Sequence, residues 1–332
     1  MKIILMLYVS RSGSTLLSNR IAQAASNVLV LPEIDILEPL LNIEPNIVKM
    51  KTSAIAHLLS SDPRWQNIKI SNAVLIKIID KHRRHGVKKI FLGMIEYLQA
   101  KAGRQVNYVL IKKGSNLYRV PEIKRLFKDT VIIHIYRDPR AVANSLLSNE
   151  RPNRPGHIMG RGDPVYIARQ WSKYTNKAEL VSDISVRFED LIMNEKSVVQ
   201  RILKGVSLDY TSESSDYSNL PYINKKERDG IHKLVFREAD LERVSGWKNE
   251  IDNKTLEIVN MFCGVQMQKL GYQDKSIQPN FYSGSALLTI SILKSFAYKV
   301  GLFCMYIRKN GWLYLLNKVK GYIRRTKEEL LK

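Results

Sequence analysis

The chain has 332 residues, is 45% hydrophobic, and carries 53 Lys and Arg against 31 Asp and Glu, a formal net charge of +22. That length and apolar content allow one large α/β domain or two smaller ones and exclude a disordered chain. Cys263 and Cys304 are the only cysteines, which excludes a disulfide framework or a four-cysteine metal site within one chain and fits a reducing compartment.

Lys2 to Val9 (KIILMLYV) is a short, nearly continuous apolar run, Ser10 to Ser14 (SRSGS) is small and polar, and Thr15 to Ala25 reads as a helix. A strand, tight loop and helix in that order aim unpaired backbone N–H groups and the positive end of a helix dipole at whatever lies above the loop. An anion fits there, although Ser and Gly are also ordinary turn residues. The apolar run is too short for a secretory signal and leads straight into the loop with no small-residue cleavage site, so a cytoplasmic location is expected.

Val28 to Leu31 reads as a second strand, with Glu33 and Asp35 just past its end. Residues 36–105 are helical by pattern, with a solvated break at Lys81 to Gly86. Val106 to Ile111 is the next strand, followed by Lys112 and Lys113, and Pro121 to Lys128 is a short helix. Val131 to Tyr136 (VIIHIY) is a further buried strand that runs into Arg137, Asp138, Pro139 and Arg140 and a helix from Ala141 to Leu147. Asp138 suits an N-cap and Pro139 a first helical turn, so Arg137 falls at a strand's carboxyl end, where open α/β sheets bind ligands. Arg151 to Pro164 is too rich in Pro, Gly and Arg for regular structure and reads as a functional loop. Val165 to Leu180 is a helix and Ile184 to Phe188 a strand; Val244 to Lys248 (VSGWK) precedes a last helix ending near Tyr272. Alternating strands and helices predict a single P-loop-like α/β domain over residues 1–280, with a central parallel sheet flanked by helices, and a basic amphipathic helical tail over 281–332.

Ser10 to Leu17 (SRSGSTLL) resembles the 5′-phosphosulfate loop of the sulfotransferases, in the R-S-G-[ST]-T-L form of the carbohydrate and tyrosylprotein enzymes. Arg137 to Ser145 resembles the same family's 3′-phosphate motif, with its Arg and Ser eight positions apart. The resemblance covers about residues 1 to 275 and is thin between the motifs. It implies 3′-phosphoadenosine 5′-phosphosulfate (PAPS) as donor, no metal, and a hydroxyl acceptor such as a saccharide or lipid-linked saccharide. Donor contacts fall to Arg11, Ser12, Gly13, Ser14 and Thr15 in the loop and to Arg137 and Ser145 in the second motif. Arg243 and Lys248 are further candidates, since a basic stretch near the Trp-Lys of cytosolic relatives touches the 3′-phosphate. The stretch from Arg187 to Leu191 resembles the family's R-[YF]-E-D-L segment, a scaffold feature. Animal relatives usually hang from an N-terminal membrane anchor, which this sequence does not show, and a bacterial-style soluble or peripheral form is expected.

Sulfuryl transfer needs positioning, charge stabilisation and a proton acceptor. The resemblance assigns the base to Glu33, whose separation from Arg11 matches the acid-to-loop distance in tyrosylprotein and related enzymes; the competing role for Glu33 is to cap a helix starting near Ile34. Arg11 would stabilise the leaving phosphate and Lys112 would assist, or lie on the surface. His57, His82 and His85 are weaker bases, and His134, inside a buried strand, is structural. A P-loop kinase or NTPase is the other enzyme class to weigh, but the loop has no Gly-Lys pair. A non-catalytic basic nucleotide- or nucleic-acid-binding protein is the third, and no nucleic-acid-binding motif supports it.

Residues 286–332 hold ten Lys or Arg against Glu328 and Glu329, or +8 of the +22. Ala286 to Ile307 is apolar, but Lys294 and Lys299 near its middle would each cost about 2.5–3.5 kcal/mol at a bilayer centre, which disfavours a span. Trp312, Leu315, Leu316, Val319, Tyr322 and Ile323 recur at helical spacing, with Lys318, Lys320, Arg324 and Arg325 mainly towards other faces. Such a helix lies in an anionic membrane surface, on the inner face in this case, or packs its stripe on protein.

Overall fold

The amino-terminal apolar run forms β1, Lys2–Tyr8, which is buried from Ile3 onwards. Successive side chains of a strand point to opposite faces. Ile3, Leu5 and Leu7 accordingly enter one core, and Ile4, Met6 and Tyr8 another. Both faces are covered, as an apolar run without polar alternation requires. The computed structural model describes residues 1–62, 64–103, 105–151, 154–210, 242–272, 286–294, 296–298 and 300–301.

β1 lies at the centre of a five-stranded sheet with β2 (Val28–Val30), β3 (Tyr108–Lys112), β4 (Val131–Tyr136) and, beyond a separate ribbon, β7 (Ile184–Arg187). The order is β2-β3-β1-β4-β7 and every pairing is parallel. On one face lie α1 (Ser14–Ala24) and, from further along the chain, two helices at Phe188–Met193 and Glu195–Gly205. The other face is covered by α2 (Leu37–Ile43), α3 (Thr52–Ser60), α4 (Asn72–His82), α5 (Val87–Ala102) and α6 (Val120–Leu126). A third cluster joins α7 (Pro139–Leu147), α8 (Pro164–Val181) and the long helix Asn253–Lys269 around the fully buried Trp171.

The topology fixes where a ligand can bind. From β1 the chain passes through α1 to β2 on one side, while α6, on the opposite face, carries it from β3 across to β4. The loop after β1 therefore opens over the crevice at the carboxyl ends of β1, β3 and β4, the switch point of an open α/β sheet.

Two expectations change. Regular structure occurs within the loop: β5 (Glu150–Arg151) and β6 (Arg154–Ile158) pair as an antiparallel ribbon, followed by a 3₁₀ turn at Met159–Gly162. Cross-strand pairing satisfies backbone groups whatever the Pro and Gly content of the side chains suggests. Glu33 caps no helix, because the next one starts at Leu37 behind Ile36. Most other element ends move by one or two residues. The boundary at 280/281 and the stripe from Trp312 to Arg325 lie outside the described residues. Among the described residues, no helix is long and apolar enough to cross a membrane.

His134 is fully buried in β4 beside Tyr136 and Tyr174, and neither ring nitrogen has a hydrogen-bond partner among the described residues. Burial lowers its pKa to about 4. A histidine whose folded pKa lies below its unfolded value binds protons preferentially when unfolded, so stability falls as pH drops from about 6.5 towards 4. Denaturant titrations over that window should show a loss of about 3 kcal/mol attributable to this group, and His134→Leu should flatten that part of the profile.

Candidate active site

The loop between β1 and α1 is shaped by two residues with positive φ, Arg11 at 73° and Gly13 at 89°. Only glycine fits at 13 without strain, and space is also limiting: a Cβ there would lie 2.3 Å from Cδ2 of Phe188. Gly13 caps α1 with no side chain accepting from its first N–H groups, which leaves them directed at the crevice. Ser12 is fully buried and its hydroxyl has no hydrogen-bond partner among the described residues. An anion held by the loop would satisfy these donors.

The second motif closes on the first. Asp138 accepts from the Arg140 backbone N–H as the N-cap of α7, with Pro139 in the first turn. Ser145, on the same helix, accepts a 2.9 Å bond from Arg11 Nε, and Arg137 Nη1 donates to the Arg11 carbonyl at 3.2 Å. The Arg137 guanidinium also lies 4.5 Å from the centre of the Phe188 ring, so one aromatic side chain touches both motifs. Burial lowers the pKa of Arg11, a desolvation cost that a bound anion would offset.

Lys112 is not a surface lysine. It ends β3 buried, and its ammonium donates to Thr15 Oγ1 at 3.1 Å. Ser14 and Thr15 are likewise buried at the start of α1. The lysine that would follow glycine in a G-K-[ST] loop thus has its counterpart on a neighbouring strand.

Behind Arg137 lies a buried polar network. Glu189, at the start of α9 (Phe188–Met193), accepts from the Asp138 backbone N–H at 3.0 Å and from the Tyr272 hydroxyl at 2.7 Å, with Arg187 Nε 3.4 Å from the same carboxylate. Burial, and then Glu189, push the Tyr272 phenol well above its ordinary pKa. Asp138 and Arg140 form a buried two-pronged ion pair, and the Arg140 guanidinium rests on Trp247 at 4.6 Å. Trp171 Nε1 donates to the Arg137 carbonyl at 3.0 Å. The R-F-E-D-L stretch therefore fixes the backbone that presents Arg137, which the sequence alone did not reveal. Lys248 is exposed in the helical turn Trp247–Glu250, and the Arg243 side chain lies outside the described residues.

Glu33 lies apart from Arg11 in the bonding pattern. Its carboxylate pairs with Arg64 Nη1 at 3.3 Å, and its carbonyl accepts from the same nitrogen at 3.1 Å. Burial and the nearby Glu33 hold the Tyr8 phenol well above its usual pKa, which ties Glu33 to the last residue of β1. Asp35 is close by: its N–H donates to Asp62 at 2.9 Å, its Oδ1 is buried without a hydrogen-bond partner among the described residues, and burial raises its pKa against the pull of Lys113. Arg64 was not a sequence candidate, because it carries no motif and meets Glu33 only through the packing of the helical segment. Of the histidines, His57 and His85 are exposed, and the His82 ring lies against Gly93 of α5. Among the described residues, no group of three or more His, Cys, Asp or Glu could hold a metal ion.

Gly13→Ala should strain the loop and drive Phe188 from under Arg137, with a stability loss of roughly 1–3 kcal/mol from the backbone alone. Thermal melts of Gly13→Ala and of Gly13→Ala/Phe188→Leu separate the two effects: the double variant should recover the steric part and keep the φ penalty.

Solved structures similar to the chain include the sulfotransferase domain from the Synechococcus PCC 7002 olefin synthase, at 17% identity over 79% of this chain and 94% of that one, with a TM-score of 0.48. The sulfotransferase domain from the curacin biosynthetic pathway matches at 17% identity over 82% and 98%, with a TM-score of 0.49. Sulfotransferase STF9 from Mycobacterium avium matches at 13% identity over 80% and 76%, with a TM-score of 0.41. No curated protein matches the sequence. The sequence profile of the sulfotransferase family matches residues 4–212, from β1 through both anion motifs to the end of the sheet, and the chain belongs to that family.

Proposed function

We propose that the protein transfers the sulfuryl group of PAPS to a hydroxyl of a saccharide or lipid-linked saccharide. The observation that carries the donor assignment is the Arg11–Ser145 contact: it joins the two anion motifs into one basic crevice, suited to a nucleotide phosphorylated at both its 5′ and 3′ positions. The residues fit that group, since Ser12 offers a buried hydroxyl without a partner among the described residues and Gly13 gives the loop the positive φ at which α1 starts without a side-chain cap. The likeness of the loop to the form shared by carbohydrate- and tyrosylprotein-acting enzymes supports a hydroxyl acceptor.

PAPS supplies the activated sulfuryl group when bound. Gly13, Ser14 and Thr15 direct N–H groups and hydroxyls at its 5′ end, and Arg11 and Lys112 counter negative charge there. Arg137 and Ser145 take the 3′-phosphate. Glu33, oriented by Arg64, accepts the proton of the acceptor hydroxyl. Thr15 Oγ1, which would face Mg²⁺ in a kinase loop, instead accepts from the Lys112 ammonium, and this favours sulfuryl over phosphoryl transfer.

Calorimetry tests the donor assignment. Adenosine 3′,5′-bisphosphate should bind in the presence of a chelator and in preference to ATP; Arg137→Ala should weaken it by about ten- to a hundredfold, the loss of one charge-assisted contact. A requirement for Mg²⁺, or preference for ATP, refutes it. For the base, Glu33→Gln keeps the shape and removes the proton acceptor. Turnover should fall by roughly 10²–10⁴ with donor affinity unchanged, and unaltered turnover would move the role to Asp35.

A further inference from the structure

Residues 286–294 form a helix, and residues 296–298 and 300–301 are also helical. One face of this segment is fastened to the domain. Ser291, itself buried, donates to Asp163 Oδ2 at 2.7 Å, and the Tyr298 ring lies 4.7 Å from the Arg161 guanidinium. Asp163 is at the same time the N-cap of α8, so the contact is made to a rigid element.

The opposite face is apolar and open. Leu293, Phe296 and Val300 are 63%, 67% and 44% exposed, with Ile290 and Ile292 beside them at 51% and 52%. At about 100° per residue the first three fall within a band of roughly 60° centred opposite Ser291. A stripe of this kind on a helix already pinned by its other side has a purpose other than the domain core.

We propose that this face docks the protein on an anionic phospholipid surface. Charge selects the occupant. Residues 302–332 continue the segment with eight Lys or Arg against two Glu, and with further aromatic residues. Anionic headgroups complement that charge, and amphipathic segments of this composition insert their apolar face at the headgroup boundary. A second copy would bring another +22 to the same place and be repelled. The inference is independent of which acceptor hydroxyl is sulfated.

Flotation of the full-length protein with vesicles tests it. At low salt, vesicles of phosphatidylcholine with 30 mol% phosphatidylserine should carry the protein upward, pure phosphatidylcholine should carry much less, and added salt should release it. Leu293→Ser/Phe296→Ser should lower the vesicle-bound fraction at least about tenfold. Both side chains are exposed, so the variant should keep its circular dichroism and its affinity for adenosine 3′,5′-bisphosphate, which separates loss of docking from loss of fold. Equal flotation of wild type and variant, or no flotation of either, overturns the proposal. A wild-type dimer split by the variant in sedimentation also overturns it, by assigning the face to a second copy.

Discussion

Three cations, Arg11, Lys112 and Arg137, converge on the carboxyl ends of β1, β3 and β4, and the rest of the site is arranged around the cost of holding them there. Each is at least partly removed from water, where like charges repel and desolvation penalises the charged form. Among the acceptors that orient them are the Ser145 hydroxyl, the Thr15 hydroxyl and the Arg11 carbonyl. Arg140, by contrast, is tied to the carboxylate of Asp138 and holds the start of α7.

The same division of labour explains the layer behind the site. Glu189 reads the backbone of Asp138 and the hydroxyl of Tyr272, so the strand end that carries Arg137 is held by a residue more than fifty positions later and by the segment after the long helix. Glu33, past the end of β2, has Arg64 as its partner, while Arg11 bonds to Ser145 of α7.

Much of this was legible in the sequence, and the limits are physical. The strands declared themselves because a parallel strand buried on both faces must be a continuous apolar run, as at Lys2–Tyr8 and Val131–Tyr136. The loop and the start of α7 were readable because Gly13, Asp138 and Pro139 act on their own local backbone. Lys112 was ambiguous because a lysine at a strand end looks the same whether it meets water or Thr15, 97 residues away. The stretch holding Glu189 read as scaffold, but its partners, like the whole role of Arg64, stayed hidden because they are chosen by packing between distant elements. The ribbon at 150–158 was missed for a related reason: pairing is a property of two backbones, and composition speaks only of side chains.

The Arg11–Ser145 bond spans 134 residues of sequence, and Arg137 reaches the Arg11 carbonyl across 126. Contacts of such separation close late, after the loops between them have lost their chain entropy. The crevice between the two motifs therefore exists only where these distant segments are held together. A ligand that recognises this crevice acts only on the finished sheet, so its binding energy adds to the stability of the whole fold rather than to any early intermediate. Any ligand held by both motifs would thus oppose the opening of the β1–β4 seam and lengthen the lifetime of the folded protein.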